Sequence, residues 1–254
     1  MAVFMSYIDS VSLNRKTRVL FASPSKMDAE QTKVVFMLHG GGGGKGIDNT
    51  CWLTDYTPLQ EYANRYGIFI VLPNAPDSMY ANSVEGEHYE DLVARELPAF
   101  VRNHFRVSTE RETTAVVGMS MGGYGAMRIG LCEPETFGTI CCLSAGNLWV
   151  SDLSNTVHAY AVKHVFGVPR IEETKGTEHD LFYLAEKDIR EGKPLPKIYH
   201  ACGTQDHALG HAKPTAAWFR EHAPEFEYEY HEVEGGKHDK DFWNQWMPYF
   251  LAKL

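Results

Sequence analysis

The chain has 254 residues, of which 44% are hydrophobic and 22% are charged, a composition typical of a globular protein with one large α/β domain. Its net charge is −9 and no dense run of lysine and arginine occurs, which argues against a nucleic-acid partner. No apolar run approaches the roughly 18 residues that span a bilayer, and the N-terminus lacks a secretory signal pattern, so we expect a cytoplasmic protein with no membrane partner.

The sequence pattern of residues 3–72 predicts the first strands of a sheet. Residues 3–9 and 15–22 alternate apolar with polar side chains, which predicts an antiparallel pair of strands. Continuous apolar runs at 33–38 and 68–72 predict two further strands, with a helix at 57–66 between them. Such continuous runs are typical of strands that are covered on both faces.

The second half alternates strands with helices. Residues 88–105 place apolar side chains on one helical face, and Pro98 inside this segment predicts a kink or a local break. Strands are expected at 113–117, 139–143, 197–201 and 228–233, and helices at 121–131, 214–221 and 241–253. This alternation predicts a single α/β domain over residues 1–254, with a mostly parallel, doubly wound sheet and a ligand site at the carboxyl ends of its strands.

One segment breaks this alternation. Residues 147–196 separate the sixth strand from the seventh and combine an apparent helix at 155–166 with a polar loop at 171–179. An insertion of this length between two strands is expected to form a cap or lid over the strand ends, where it would border the ligand.

The most informative motif is Gly118-Met119-Ser120-Met121-Gly122, which has the form G-x-S-x-G. A bare match is common by chance, but this one lies between a predicted strand and a predicted helix, as a nucleophilic serine on a strand–turn–helix element requires. The motif therefore predicts Ser120 as a nucleophile that needs an adjacent base. The alternative is a glycine-rich turn with an inert serine.

A serine nucleophile needs a histidine and an acid, which this topology supplies in the chain order serine, acid, histidine. Asp206 lies in the loop after a late strand, whereas the rival acids Asp180 and Asp188 do not directly follow a strand. His238 lies between the last strand and the last helix. We expect Asp206 to orient His238, and His238 to take the proton from Ser120.

The glycine-rich loop that begins His39-Gly40-Gly41 follows an early strand. Glycine loops at this position supply backbone donors for the negative oxygen that forms during acyl transfer. We expect the N–H groups of Gly41 and Met121 to form this oxyanion hole, with Gly40 as the reserve donor beside the substrate.

Two other kinds of site fit the sequence poorly. A phosphate-binding loop would need the Walker pattern, which fails at His39 and again at Gly46, the residue after Lys45. The five cysteines show neither a CxxC pair nor the Cys/His spacing of a zinc site. We expect reduced cysteines and no bound metal.

Several aromatic and polar residues follow strands or glycine loops on the side where the site is expected. They are Trp52, Tyr80, Asn82 and Trp149. Aromatic side chains there could flank an acyl or aryl group, so Trp52 and Trp149 are predicted to bind substrate. Packing in the core is the alternative for each.

With these residues in place, the chain resembles the putative-esterase family of α/β-hydrolases, which includes tributyrin esterases, esterase D (S-formylglutathione hydrolase) and the feruloyl and acetyl-xylan esterases of carbohydrate esterase family 1. The segments that carry the resemblance are FMLHGGGG, VLPNAPDSMYAN, YEDLVARELPAFV, VVGMSMGGYGAMRIGL, ACGTQD and EGGKHDKDFW. The similarity is greatest to short-chain bacterial tributyrin esterases. It departs at Gly41, where many relatives carry a larger residue, and it is weakest over 147–196.

The resemblance implies an α/β-hydrolase fold, a triad of Ser120, Asp206 and His238, no metal or other cofactor, and frequent homo-oligomers. It implies a carboxylic-ester hydrolase that acts on short-chain acyl esters, including acetyl or feruloyl esters, through an acyl-enzyme. A thioesterase or S-formylglutathione hydrolase is the alternative, since only the leaving group differs. A non-catalytic binding protein that keeps the fold is the remaining alternative.

Overall fold

The computed structural model describes residues 2–41, 47–53 and 58–254, and its strands form one sheet. The strands are β1 (Ala2–Ser10), β2 (Arg15–Ser23), β3 (Lys33–Leu38), β4 (Ile68–Pro73), β5 (Thr114–Met119), β6 (Thr139–Leu143), β7 (Lys197–Gly203) and β8 (Tyr228–Val233). Their order is β1-β2-β4-β3-β5-β6-β7-β8. β1 and β2 pair antiparallel and β2 is antiparallel to β4, while all other neighbours are parallel. The predicted mostly parallel sheet is confirmed.

Helices cover both faces of this sheet. They are α1 (Leu59–Tyr66), α2 (Tyr89–Asp91), α3 (Leu97–His104), α4 (Met121–Cys132), α5 (Ser154–Val157), α6 (Ala159–His164), α7 (Leu181–Glu191), α8 (Leu209–His222) and α9 (Lys240–Leu251). Alternate residues of a strand point to opposite faces. Val34 and Phe36 therefore join the core that contains α3, α4 and α7, whereas Val35 and Met37 join the core beneath α1 and α9. The doubly wound arrangement is confirmed.

The strand order brings three distant loops to one edge of the sheet. β5, β6, β7 and β8 are parallel neighbours, so their carboxyl ends lie side by side. Ser120 directly follows β5, Asp206 lies shortly after β7, and His238 lies shortly after β8. Residues that are 118 positions apart in sequence can therefore meet at this edge.

The predicted helix at 88–105 is divided into three parts. The short α2 leads into a π-helical turn over Leu92–Glu96, and α3 then begins at Leu97. Pro98 is the second residue of α3, which directly follows the π-helical turn, and the Leu97 N–H still donates to the Leu92 carbonyl. The irregularity therefore precedes the proline.

Two helices differ from the prediction. α8 starts five residues before Pro214, which lies inside the helix rather than at its beginning. α7 was not predicted, but its sequence carries a signal at each end. Asp180 caps the first turn by accepting from the Phe182 N–H at 3.0 Å, and Gly192 ends the helix with a left-handed φ of 67°. With α5 and α6, it makes much of the segment 147–196 helical.

Some predictions fall outside the described residues. The first residue of the predicted helix at 57–66 and the residues 43–46 of the alternative phosphate loop are among them. Within the described ranges, no helix has both the length and the apolar character that crossing a membrane demands.

Candidate active site

Ser120 lies in a sharp turn between β5 and α4. Its φ is +56°, an unusual value for a residue other than glycine, and its N–H donates to the Leu143 carbonyl at 2.9 Å. A Cβ on Gly118 would lie 2.0 Å from the Gly122 carbonyl oxygen, and a Cβ on Gly122 would lie 2.2 Å from the Leu38 carbonyl oxygen. Only glycine fits at these two positions of G-x-S-x-G, because any side chain would force the strand and the helix apart.

The Ser120 hydroxyl begins a line of hydrogen bonds. Ser120 Oγ lies 2.9 Å from Nε2 of His238, and Nδ1 of His238 lies 2.8 Å from Oδ1 of Asp206. A carboxylate can only accept, so Nδ1 carries the imidazole proton and Nε2 accepts from the serine hydroxyl. In this tautomer His238 is able to remove the proton of Ser120.

A contact between two glycines holds the Asp206 and His238 loops together. A Cβ on Gly203 would lie 2.1 Å from the Gly236 carbonyl oxygen. The same carbonyl accepts from the Gln205 N–H at 2.9 Å. Sequence reasoning missed this pairing, for which the glycines shortly before His238 were the available signal.

Asp206 is buried, and its neighbours stabilise its charge. Burial alone would raise the pKa of this carboxyl, but the hydrogen bond and the charge of His238 hold the pKa below its usual value. The Ser144 hydroxyl acts in the same direction, as does the Ala208 N–H, which donates to Oδ1 at 2.7 Å. Trp243 Nε1–H donates to Ser144 Oγ at 2.9 Å, while Oδ2 of Asp206 is buried and has no hydrogen-bond partner among the described residues.

The rival acids have other roles. Asp180 accepts from Nδ2 of Asn147 at 2.7 Å and caps α7, while Asp188 lies within that helix. Among the described residues, Asp206 is the acid that the structure brings to Nδ1 of His238.

His39 fixes the orientation of the peptide that follows it. Its Nε2 lies 3.0 Å from the N–H of Ala75, which can only donate, so Nε2 accepts and the ring proton sits on Nδ1. Nδ1 donates to the Gly40 carbonyl at 2.8 Å. Burial lowers the pKa of His39 to about 4, which keeps the ring neutral.

The Gly40 carbonyl in turn sets the direction of the Gly41 N–H. In a trans peptide the C=O and N–H groups point in opposite directions, so this N–H points away from the buried His39 ring. Gly41 lines the cavity beside Ser120, and we expect its N–H to face that cavity. The Met121 N–H, in the first turn of α4, has no acceptor in the described parts of the chain.

A cavity of about 430 Å³ opens in front of Ser120, within the range of small-ligand sites. Part of its wall is apolar and includes Met79 and Met121. The segment 147–196 supplies Leu148, Val157, His158, Tyr160 and Ala161. This segment therefore borders the candidate site, where the predicted cap was expected to lie.

Neither predicted tryptophan is among the residues that line this cavity. Trp52 is 2% exposed and packs in the core beneath α1. Trp149 packs edge-on against the ring of Phe182, with centroids 5.6 Å apart. The Lys175 ammonium lies over the Trp149 ring, 4.6 Å from its centroid. Core packing, the alternative for both, describes these positions.

Two further candidates also lie outside the lining. A Cβ on Gly40 would lie 3.5 Å from Ser120 Cβ, so Gly40 adjoins the serine. Tyr80 is fully buried and donates through its hydroxyl to the His39 carbonyl at 3.0 Å. Both residues therefore support the site without lining it.

Sequence reasoning did not select three histidines that line the cavity: His158, His207 and His211. The ring of His207 lies against that of His238, with centroids 4.1 Å apart. Potential metal ligands on Asp206, His207 and His238 lie within 4.8 Å of one another. Both nitrogens of His238 are, however, already engaged by Ser120 and Asp206, an arrangement that suits proton transfer.

Comparison with known proteins agrees with this geometry. Residues 10–254 match the family model described as Putative esterase. The acetyl esterase of Caldicellulosiruptor saccharolyticus is 30% identical over 97% of this chain and 96% of its own length. The fluorophosphonate-binding serine hydrolase F of Staphylococcus aureus superposes with a TM-score of 0.85 at 26% identity, covering 99% of this chain and 97% of that one. The S-formylglutathione hydrolase of the same organism shares the fold, with a TM-score of 0.81 at 24% identity and coverage of 99% and 98%.

Proposed function

The chain belongs to the putative-esterase family and is an ester-hydrolysing enzyme with an α/β-hydrolase fold, and from this premise we propose that it cleaves short-chain carboxylic esters with Ser120 as nucleophile. The observation that carries the proposal is the line of hydrogen bonds from Ser120 through His238 to Asp206, which opens on the cavity. An acetyl or similarly small acyl group is favoured by the acetyl esterase relative.

The proposed reaction proceeds through an acyl-enzyme. Ser120 Oγ attacks the ester carbonyl carbon while Nε2 of His238 takes the hydroxyl proton, and Asp206 stabilises the imidazolium that results. The N–H groups of Gly41 and Met121 donate to the negative oxygen of the tetrahedral intermediate. His238 then protonates the leaving alcohol, and water releases the acid by the same steps in a second round.

Covalent labelling tests the choice of nucleophile. A fluorophosphonate is expected to form one adduct, which mass spectrometry locates on Ser120, because only a base-activated serine attacks phosphorus readily. Ser144 is the matched control: it lines the same cavity and also has a positive φ of 54°. Ser144→Ala should still be labelled, and an adduct on Ser144, or none on folded protein, would contradict the proposal.

A thioester substrate is the second candidate, because the same acyl transfer serves a thiol leaving group and the fold is shared with an S-formylglutathione hydrolase. Turnover of S-formylglutathione compared with tributyrin separates the two. A panel of p-nitrophenyl esters from acetate to decanoate, with methyl ferulate, then defines the acyl group.

The hydrogen bond from His39 is expected to matter for rate rather than for binding. His39→Ala removes the donor that holds the Gly40 carbonyl, so the Gly41 N–H loses its fixed direction. We expect kcat for p-nitrophenyl acetate to fall about 10- to 100-fold with little change in KM, since a single oxyanion donor contributes about 10²–10³. His39→Asn keeps a donor near the Nδ1 position and should retain more activity. Equal kcat in folded His39→Ala and wild type would contradict the role.

Two expectations stay predictions. Homo-oligomer formation is implied by the family resemblance and is measured by light scattering. A cytoplasmic location agrees with the absence of a disulfide among the described cysteines, and cell fractionation checks it.

A further inference from the structure

The tautomer of His211 can be read from its neighbours. The Ser154 hydroxyl donates to the Leu148 carbonyl at 2.7 Å, so Ser154 Oγ must accept in its contact of 2.8 Å with Nε2 of His211. Nε2 therefore carries the proton of this ring. Burial lowers the pKa of His211 to about 4, so the ring is neutral at pH 7 and its Nδ1 is a bare acceptor.

This acceptor has no partner in the described chain. His211 is 5% exposed, and its ring contributes to the cavity wall. No hydrogen bond to its Nδ1 occurs within residues 2–41, 47–53 and 58–254. This nitrogen is not among the fully buried polar atoms that lack a partner, so solvent reaches it through the cavity that the ring lines. The cavity side of the ring is where a ligand could supply that donor.

A second neutral imidazole lies next to it. His158 meets His211 edge-on, with ring centroids 6.3 Å apart, and it lines the same cavity. Burial, followed by the proximity of other histidines, lowers the pKa of His158 to about 4. Its imidazole ring makes no hydrogen bond with the described residues, so the ring offers the cavity one donor and one acceptor.

We propose that His211 and His158 form a subsite that binds a hydroxyl group of the substrate; this inference rests on the proposed function. A hydroxyl both donates and accepts, so it can donate to Nδ1 of His211 while it accepts from His158. An ionised carboxylate cannot donate to Nδ1, and Asp77 in the same wall opposes a negative charge. The hydroxyl belongs to the acyl chain or to the alcohol, and the experiment distinguishes the two sources.

The experiment compares esters in which a hydroxyl replaces a methyl group of the same size. For the acyl side, kcat/KM is measured for p-nitrophenyl 3-hydroxybutyrate and p-nitrophenyl 3-methylbutyrate. For the alcohol side, it is measured for 2-hydroxyethyl acetate and propyl acetate. We expect the wild type to prefer the hydroxyl-bearing ester in one of the two pairs.

His211→Phe should lower that preference about 3- to 10-fold, the effect of one neutral hydrogen bond, while turnover of the methyl-bearing ester persists. His211→Asn retains an oxygen near the Nδ1 position and should restore part of the preference. Leu153→Ala changes an exposed apolar residue of the segment 147–196 that is not among the lining residues, and it should leave the ratio unchanged. If His211→Phe does not fold, His158→Phe replaces it, since it removes the other imidazole of the proposed subsite.

Two results would overturn the subsite: equal kcat/KM within both ester pairs for the wild type, or a preference that folded His211→Phe leaves intact. Failure of the proposed function looks different. In that case the wild type would cleave none of the four esters, or Ser120→Ala would cleave them as well as the wild type does.

Discussion

Ser120→Ala is expected to lower kcat for p-nitrophenyl acetate by about 10⁴- to 10⁶-fold, because it removes the proposed nucleophile. The Ser120 side chain is not required for packing, since its hydroxyl faces the cavity and bonds to His238. The melting temperature should therefore stay close to that of the wild type. Turnover is measured under saturating substrate with purified protein.

Non-additivity provides the control for this result. His238→Ala should also be severely impaired, yet the double variant Ser120→Ala with His238→Ala should be scarcely slower than either single variant, because the two residues act as one unit. Losses that multiply in the double variant would show independent roles. Normal turnover in Ser120→Ala would remove Ser120 from the mechanism altogether.

Arg128→Met is expected to lower the free energy of unfolding by about 3–5 kcal/mol, because it leaves the Glu90 carboxylate buried without its partner. The side chains of Arg128 and Glu90 are only 1% and 8% exposed and form a direct ion pair. Arg128 also donates to the Glu178 carbonyl. Urea unfolding followed by circular dichroism measures the loss.

The double variant Arg128→Met with Glu90→Leu distinguishes the contribution of the ion pair from that of the other contacts these two side chains make. Since a buried ion pair recovers little more than its desolvation cost, this variant should be more stable than Arg128→Met alone. A double loss equal to the sum of the two single losses would mean that the two charges do not depend on each other.

The parts of the site that lie on regular elements were predictable. Lys33–Leu38 and Thr139–Leu143 are strands at the expected residues, because short continuous apolar runs are typical of strands covered on both faces. The positions of Ser120, Asp206 and His238 followed from these strands, since each lies just beyond a strand end.

The residues that shape the cavity were harder to predict. Trp52 and Trp149 were predicted because they are aromatic and follow a strand or a glycine loop, whereas Trp52 lies in the core beneath α1 and Trp149 packs against Phe182. The Nδ1 lone pair of His211 depends on the Ser154 hydroxyl, 57 residues away. A tautomer set by such a contact leaves no pattern in a sequence.

The division of the cavity between two sources has a consequence for how this enzyme can diversify. Ser120, Asp206 and His238 lie just beyond the ends of β5, β7 and β8, with β6 between β5 and β7, while Leu148, Val157, His158 and Tyr160 come from the segment between β6 and β7. Mutations confined to that segment, whether natural or from a laboratory library, can change the substrate range. They leave Ser120, His238 and Asp206 in place. We therefore expect substitutions in this segment to change substrate preference more than they change the reaction.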